Sequence, residues 1–442
     1  MRISVRPNRS ISCVGQALRR RRPDILNHRS LAWLSWTSLV AAVVAGCASP
    51  GASPTPAASS SAVASVVATE TPRATPALSL SPTATLAPLT FVVTGNMHTA
   101  RFAATATLLE NGKVLIAGGE NVHTSLDIDV YSSAELYDPS TGKFTNTGSM
   151  RAARAYATAV RLSDGRVLIA GGEGCSDGRH CTGVSSGAGL VDLASAEIYD
   201  PSKGSFTPTG SMAAPRAGAL GVLLADGRVF VAGFTQSAEL YDPLTGGFAA
   251  AGKKQTAYEA TSVALVTGKT VLLAGFVRSG GEAGQLFDEE TGKYTNLELT
   301  LPAGAAAFPV PAVPSAALTL PDGHVLLFTD GYIQTCDPST NAVVNGGPVT
   351  NQGEWDSADA TLLADGRVLV EGGGFIDPNS GAGQSTNAAV LYEPSNGSIA
   401  PGSMNAARQG QTATLLLNGS VLIAGGEDAS YKPLASAELF EP

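Results

Sequence analysis

The chain has 442 residues, room for two or three ordinary domains or for one large repeat-built body. Hydrophobics at 44% and charged residues at 15% exclude wholesale disorder, while 50 Gly and 26 Pro signal many turns. Charge is uneven: residues 1–46 hold eight Arg and one Asp, and the remainder carries 20 basic against 36 acidic residues, a net of −16. A body that acidic repels phosphate backbones, which excludes nucleic acid as a partner.

Residues 1–46 have the layout of an export signal. Arg19, Arg20, Arg21 and Arg22 precede an apolar stretch over 31–45 that is short for a bilayer span, and small residues lead up to Cys47. Val44-Ala45-Gly46-Cys47 resembles the lipobox of bacterial lipoproteins, which implies that Cys47 is acylated and becomes the new N-terminus. More than one acyl chain would hold it stably on a membrane at the extracytoplasmic face of the envelope. From Cys47 a tether follows, up to residue 88. Of residues 48–88, 32 of 41 are Ala, Ser, Thr or Pro, and no helical or strand period survives. Such a segment reaches about 35 Å as a coil and about 125 Å as polyproline II, so it serves to hold a folded body away from a surface.

From residue 89 to 442 the chain repeats itself. The clearest run is Val114-Leu115-Ile116-Ala117-Gly118-Gly119, which recurs from Val167 and Val421, with degraded copies from Val229, Val271, Val325 and Val368. Each follows a two-residue turn signal: Asn111-Gly112, Asp164-Gly165, Asp226-Gly227, Thr267-Gly268, Asp322-Gly323, Asp365-Gly366 or Asn418-Gly419. Such pairs join antiparallel strands through positive φ angles. A third run, Ser133-Ala134-Glu135-Leu136-Tyr137-Asp138-Pro139, returns at 195–201, 237–243 and 436–442. After a further turn comes a fourth run such as 143–147. In the last unit no fourth run precedes Pro442, but 89–97 mirrors 143–150 and supplies the missing strand at the other end.

Four short strands per unit of about 50 residues resemble the kelch repeat. The resemblance covers 89–442 and implies an all-β fold, a seven-bladed kelch-type propeller closed by an N-terminal outer strand. In such blades the loops after the second strand and between blades share one face. That face carries the insertions, 120–131, 173–193, 374–387 and 427–434. Variable loops on a fixed scaffold suit binding.

Several residues are candidates on that face. Cys175 and Cys181 flank five residues within one insertion, a spacing suited to a local disulfide in an oxidising compartment. Cys336 stands where other copies have Tyr or Phe and reads as a buried thiol. Arg101, Arg154, Arg216 and Arg408 each follow a Met by four residues, on blades one, two, three and seven. In kelch adaptor proteins, arginines at the matching position bind acidic peptides. Here, however, the same four blades carry Glu135, Glu197, Glu239 and Glu438 in the third strand, and the other three carry Gln285, Gln334 and Val390. Arg and Glu come and go together, which points to an ion pair inside each blade. Tyr258 and Trp355, just ahead of inner strands, could stack a sugar ring.

Catalysis finds little support. The resemblance extends to galactose oxidase, whose copper site would need two His, two Tyr and a thioether Cys on the axis. Past the leader only His98, His123, His180 and His324 are present, and His324 belongs to a hairpin turn on the opposite face. His98, His123 and His180 are weak metal candidates beside Asp127, Asp129 and Asp177. No nucleophile elbow, phosphate loop or zincin motif occurs. The expected function is a surface-anchored binding module, a monomer without a cofactor, presenting loops to a protein or glycan. A carbohydrate-active enzyme of mutarotase or oxidase type and a purely structural envelope protein are the alternatives.

Overall fold

The computed structural model describes residues 89–442 apart from 125–126, 176–180, 185–189, 234–237, 253–257, 268–269, 278–281, 298–313, 330–331, 341, 350–357 and 377–382, and beside some of these segments it describes the backbone alone. The leader, Cys47 and the tether lie outside the described residues. So do His180, Asp177 and Trp355, together with the side chains of Cys181, Tyr258 and Asp127.

Seven four-stranded antiparallel sheets make up the body, and the described residues contain no helix. Blade one shows the local logic. Its strands Thr105–Leu108, Val114–Ala117, Ala134–Asp138 and Lys143–Asn146 pair in sequence order. The second strand is buried at every position, as a strand packed on both faces must be. The hairpin before it differs from the two-residue turn that Asn-Gly suggested. Gly112 N donates to Leu109 O and Leu109 N to Lys113 O, a three-residue turn in which Gly112 alone takes positive φ, at 79°. Asn111 keeps an ordinary φ, and its side chain accepts from Lys113 N instead. Asp164-Gly165 and Asp226-Gly227 turn in the same way.

Blades pack face to face. Each of the seven interfaces has its own apolar cluster, for example Leu115, Ala117, Met150, Val167, Ile169 and Tyr199 between blades one and two. The first strands of successive blades touch all the way round, including Thr412–Leu415 of blade seven against Thr105–Leu108 of blade one. That contact completes a ring with the first strands innermost.

Blade seven draws its outer strand from the other end of the described chain. Thr90–Val93 pairs antiparallel with Ala437–Glu441, with Phe91 opposite Phe440 and Val93 opposite Glu438. Phe91 rests on Phe440 at 5.3 Å between ring centroids. The Thr94 hydroxyl meets the Tyr137 hydroxyl of blade one at 2.9 Å. Thr147 with Tyr199 and Thr209 with Tyr241 repeat this tie at the next two interfaces.

Removing residues 48–86 should therefore leave thermal stability almost unchanged. Removing 48–95 takes away the outer strand and leaves the row of hydrogen-bonding groups on Ala437–Glu441 unpaired, so that protein should melt lower and aggregate. Thermal unfolding with light scattering compares the two directly, and equal behaviour would contradict the role given to the N-terminal strand.

Candidate functional site

The four arginines are interior residues. Arg101, Arg154, Arg216 and Arg408 are each at most 1% exposed. None presents its guanidinium to a ligand on the face. The Arg154 Nη1 donates to Gly171 O at 2.7 Å and Ser195 O at 3.0 Å, while Nη2 donates to Ser195 Oγ and to Glu197 Oε1, both at 3.2 Å. Arg101 repeats the set on Gly118, Ser133 and Glu135, and Arg408 on Gly425, Ser436 and Glu438. Arg216 reaches Glu239 at 2.6 Å.

Each glutamate is held from a second side. Glu197 accepts the backbone amides of Arg151 at 2.8 Å and Ala152 at 3.0 Å, in the loop that enters blade two. Glu239 accepts Ala213 and Ala214, and Glu135 accepts His98 and Thr99. Burial alone would push the Glu135 carboxyl up; the His98 amide and the Arg101 guanidinium outweigh it and hold the group below the usual carboxylate range. Burial pushes Arg101, Arg154 and Arg408 down, although a guanidinium keeps its charge at neutral pH.

The arginine backbone ties each blade to the one before it. Gly119 N donates to Arg154 O at 2.9 Å, Gly172 N to Arg216 O at 2.6 Å and Gly426 N to Arg101 O at 2.9 Å. This explains the glycine pairs after the second strand: Gly118 has φ of 68°, and a Cβ there would run into the Arg154 carbonyl. Two residues past each arginine, the chain again takes positive φ, at Ala103 (53°), Tyr156 (54°), Gly218 (61°) and Gly410 (59°). Those residues form a half-collar: Ala103 N donates to Gly410 O, Tyr156 N to Ala103 O and Ala219 N to Tyr156 O. On it Phe102 and Tyr156, both half-buried, pack edge to face at 5.9 Å, and the Tyr156 hydroxyl donates to the buried Glu120 at 3.3 Å. Sequence reasoning missed this rim, although Gly218 and Gly410 at matching places were a signal for it.

The insertions build structure of their own. Glu120–Thr124 and Asp127–Val130 of blade one join Cys181–Val184 of blade two in a three-stranded sheet that bridges the two blades. Glu173–Cys175 pairs with Leu190–Asp192, and Gly374–Ile376 with Gly383–Ser385. Ile128, Val130, Ala153, Ala155 and Cys175 form a small core beneath the bridging sheet. Cys175 is disulfide-bonded. Cys336 is free and fully buried, and burial pushes its thiol up to about 11, which leaves it unreactive at neutral pH.

The histidines do not converge. His98 Nδ1 contacts Glu135 at 3.0 Å, His123 Nε2 contacts Asp129 at 2.9 Å, and His324 contacts Asp322 on the hairpin face. Among the described residues no three His, Cys, Asp or Glu side chains are grouped to hold a metal. Nor do the described donors fit a galactose oxidase copper site, since Cys336 lies in the core between blades four and five and each described His has its own carboxylate.

A second feature that sequence reasoning missed is Asp359 opposite Glu371 in blade six. Burial pushes the Asp359 carboxyl up to about 6, against the opposing effect of the Ala360 and Ala413 amides. It pushes Glu371 well above its ordinary value, with Asp359 adding to the effect.

No protein-family model matches the chain, and no curated protein matches it. Solved structures do. A fungal alcohol oxidase of the AA5 family, determined in complex with copper, is similar with a TM-score of 0.55 and 16% identity over 80% of this chain and 76% of that one. The structure of YjhT matches with a TM-score of 0.48 and 15% identity over 77% of this chain and 95% of that one. The fold is that of the galactose oxidase and kelch-like propellers.

The arginine geometry gives a measurable expectation. Arg154→Met and Glu197→Gln should each destabilise strongly, by about 3–5 kcal/mol for a broken buried pair. The double variant should cost clearly less than the sum, with a coupling of about 0.5–3 kcal/mol in denaturant unfolding. Simple additivity would contradict the pairing.

Proposed function

We propose that the protein is an exported, lipid-anchored binding module whose propeller presents its insertion-bearing face to a glycan or protein of the cell envelope. The observation that carries this reading is the asymmetry of the two faces. Among the described residues, every strand outside the seven blades belongs to insertions on one face, and one of the added sheets spans two blades. The opposite face has short hairpin turns. The half-buried Phe102 and Tyr156 on the half-collar favour a sugar ring as the contacted group, because an aromatic face stacks on apolar C–H.

Anchoring rests on the lipobox-like sequence ending at Cys47, and among the described residues no helix is long and apolar enough to cross a membrane. Cys47→Ala should release the protein from the membrane fraction with its melting curve unchanged. Retention of the variant on the membrane would point to a different anchor.

The binding reading is tested on a glycan array and by calorimetry with the glycans that score. Tyr156→Gly, which relieves the positive φ while removing the ring and its hydrogen bond to Glu120, should keep the fold at some cost in Tm and lose at least about tenfold in affinity. Full affinity in that variant would move the contact off the collar. Absence of any bound glycan or envelope protein would overturn the reading, and turnover of a bound sugar would make the protein a carbohydrate-active enzyme.

A further inference from the structure

Blade six breaks the repeat at one cross-strand pair, at the start of its first strand. The matching pairs elsewhere are Thr105 with Ala117, Thr158 with Ala170, Leu220 with Ala232, Ser262 with Ala274, Ala316 with Phe328 and Thr412 with Ala424. None carries a charge. Blade six has Asp359 opposite Glu371. Directly opposed residues share a face of the sheet, and like charges there destabilise it. Folding alone therefore gives no reason for the pair.

Among the described residues, the surroundings do not neutralise it. Glu371 is fully buried, and neither of its carboxylate oxygens has a hydrogen-bond partner. Asp359 is partly open to the rim and accepts the amides of Ala360, at 3.0 Å, and of Ala413 on the first strand of blade seven. The two carboxyl groups share no hydrogen bond and act on each other through space. Arg408, the arginine of blade seven, is committed to Glu438, Gly425 and Ser436.

A further polar group lies at the same interface. Gln411, from the start of the inner strand of blade seven, donates its Nε2 to the Glu371 carbonyl at 3.0 Å and lies against Gly372, where a Cβ would collide with it. It is 8% exposed, and its Oε1 has no partner. Glu371 Oε1 and Oε2 and Gln411 Oε1 are thus three buried oxygens without a donor at the interface of blades six and seven, beside Asp359, which is partly exposed. The set is all oxygen, with two negative charges and no nitrogen or sulfur.

We propose that Asp359, Glu371 and Gln411 Oε1 form a binding site for a hard divalent cation of the calcium class between blades six and seven. The charge of such an ion balances the two carboxylates. Calcium accepts carboxylate and amide oxygens in irregular geometry, whereas magnesium demands a near-octahedral shell and keeps most of its water. The bound ion would tie the inner strand of blade seven to the second strand of blade six, next to the insertion that begins at Gly374. This is independent of the binding reading given above and of its glycan.

Thermal unfolding of the full chain tests the site. Protein stripped with a chelator is melted at neutral pH in about 10 mM calcium chloride and in sodium chloride of equal ionic strength, a calcium level above the affinity range of extracellular sites. Calcium should raise Tm by about 3 °C or more, and calorimetric titration should give one ion per chain. Glu371→Ala installs the residue that five other blades carry, so it should fold and show neither the shift nor the bound ion. Asp359→Asn serves the same purpose if that variant does not fold. Unchanged melting and no bound calcium in the parent protein would overturn the proposal and leave the pair as carboxyls held by a proton. An equal calcium response in parent and variants would place the ion elsewhere and overturn it as well.

Discussion

One buried ion pair, repeated four times, sets the geometry of half the ring. A guanidinium fully withdrawn from water is costly unless every direction of its fork meets an acceptor. In blades seven, one and two both terminal nitrogens do, through two carbonyls, a serine hydroxyl and a glutamate, and Nε alone lacks one; in blade three Arg216 meets Glu239. The same residue offers its own carbonyl to the preceding blade. Side chain and backbone of one arginine therefore bind two blades, and the loop joining them has little freedom left. The glycine pairs, the positive φ two residues later and the half-collar are consequences of that closeness.

Blades four to six show what happens without it. In place of the glutamate they carry Gln285, Gln334 and Val390, and the Gln285 amide turns instead to Asn296 at 2.9 Å. Strands in blade four are longer: Tyr258–Thr267 has 10 residues and Thr270–Val277 has 8, where the first two strands of blade one have 4 each. Among the described residues, blades four and five show no such clamp and meet through apolar clusters, whereas blade six keeps the glycine pair, with Gly373 N donating to Arg408 O at 2.9 Å. The bridging sheet and the aromatic rim sit over the clamped blades, where a rigid support suits a recognition surface. The carboxyl pair of blade six sits at its interface with blade seven.

Much of this was legible in the sequence, because a repeat is its own control. Turn dipeptides and the recurring Val-Leu-Ile-Ala-Gly-Gly run mark seven units, and the joint presence of Arg154 with Glu197, or joint absence of both, names interaction partners 43 residues apart. What escaped notice was of two kinds. Turn type depends on where the flanking strands leave their ladder, so Asn111-Gly112 looked like a two-residue hairpin although only Gly112 takes positive φ. Contacts between blades are the other kind. Val368-Leu369-Val370-Glu371 read as a worn copy of the run, and nothing within blade six shows that Glu371 faces Gln411 across an interface. The strain at Ala103 and Tyr156 was hidden because neither residue advertises positive φ, although Gly218 and Gly410 occupy the same place.

Native-state hydrogen exchange at the amides of Gly119, Gly172 and Gly426 tests the clamp most directly. These amides are bonded to arginine carbonyls across blade interfaces. If the arginines lock the blades, all three should exchange only through global unfolding, more slowly than the inner strands of blades four and five. Exchange as fast as that of the exposed hairpin turns would show that the blades part locally at these points, and would contradict the central place given to the buried pair.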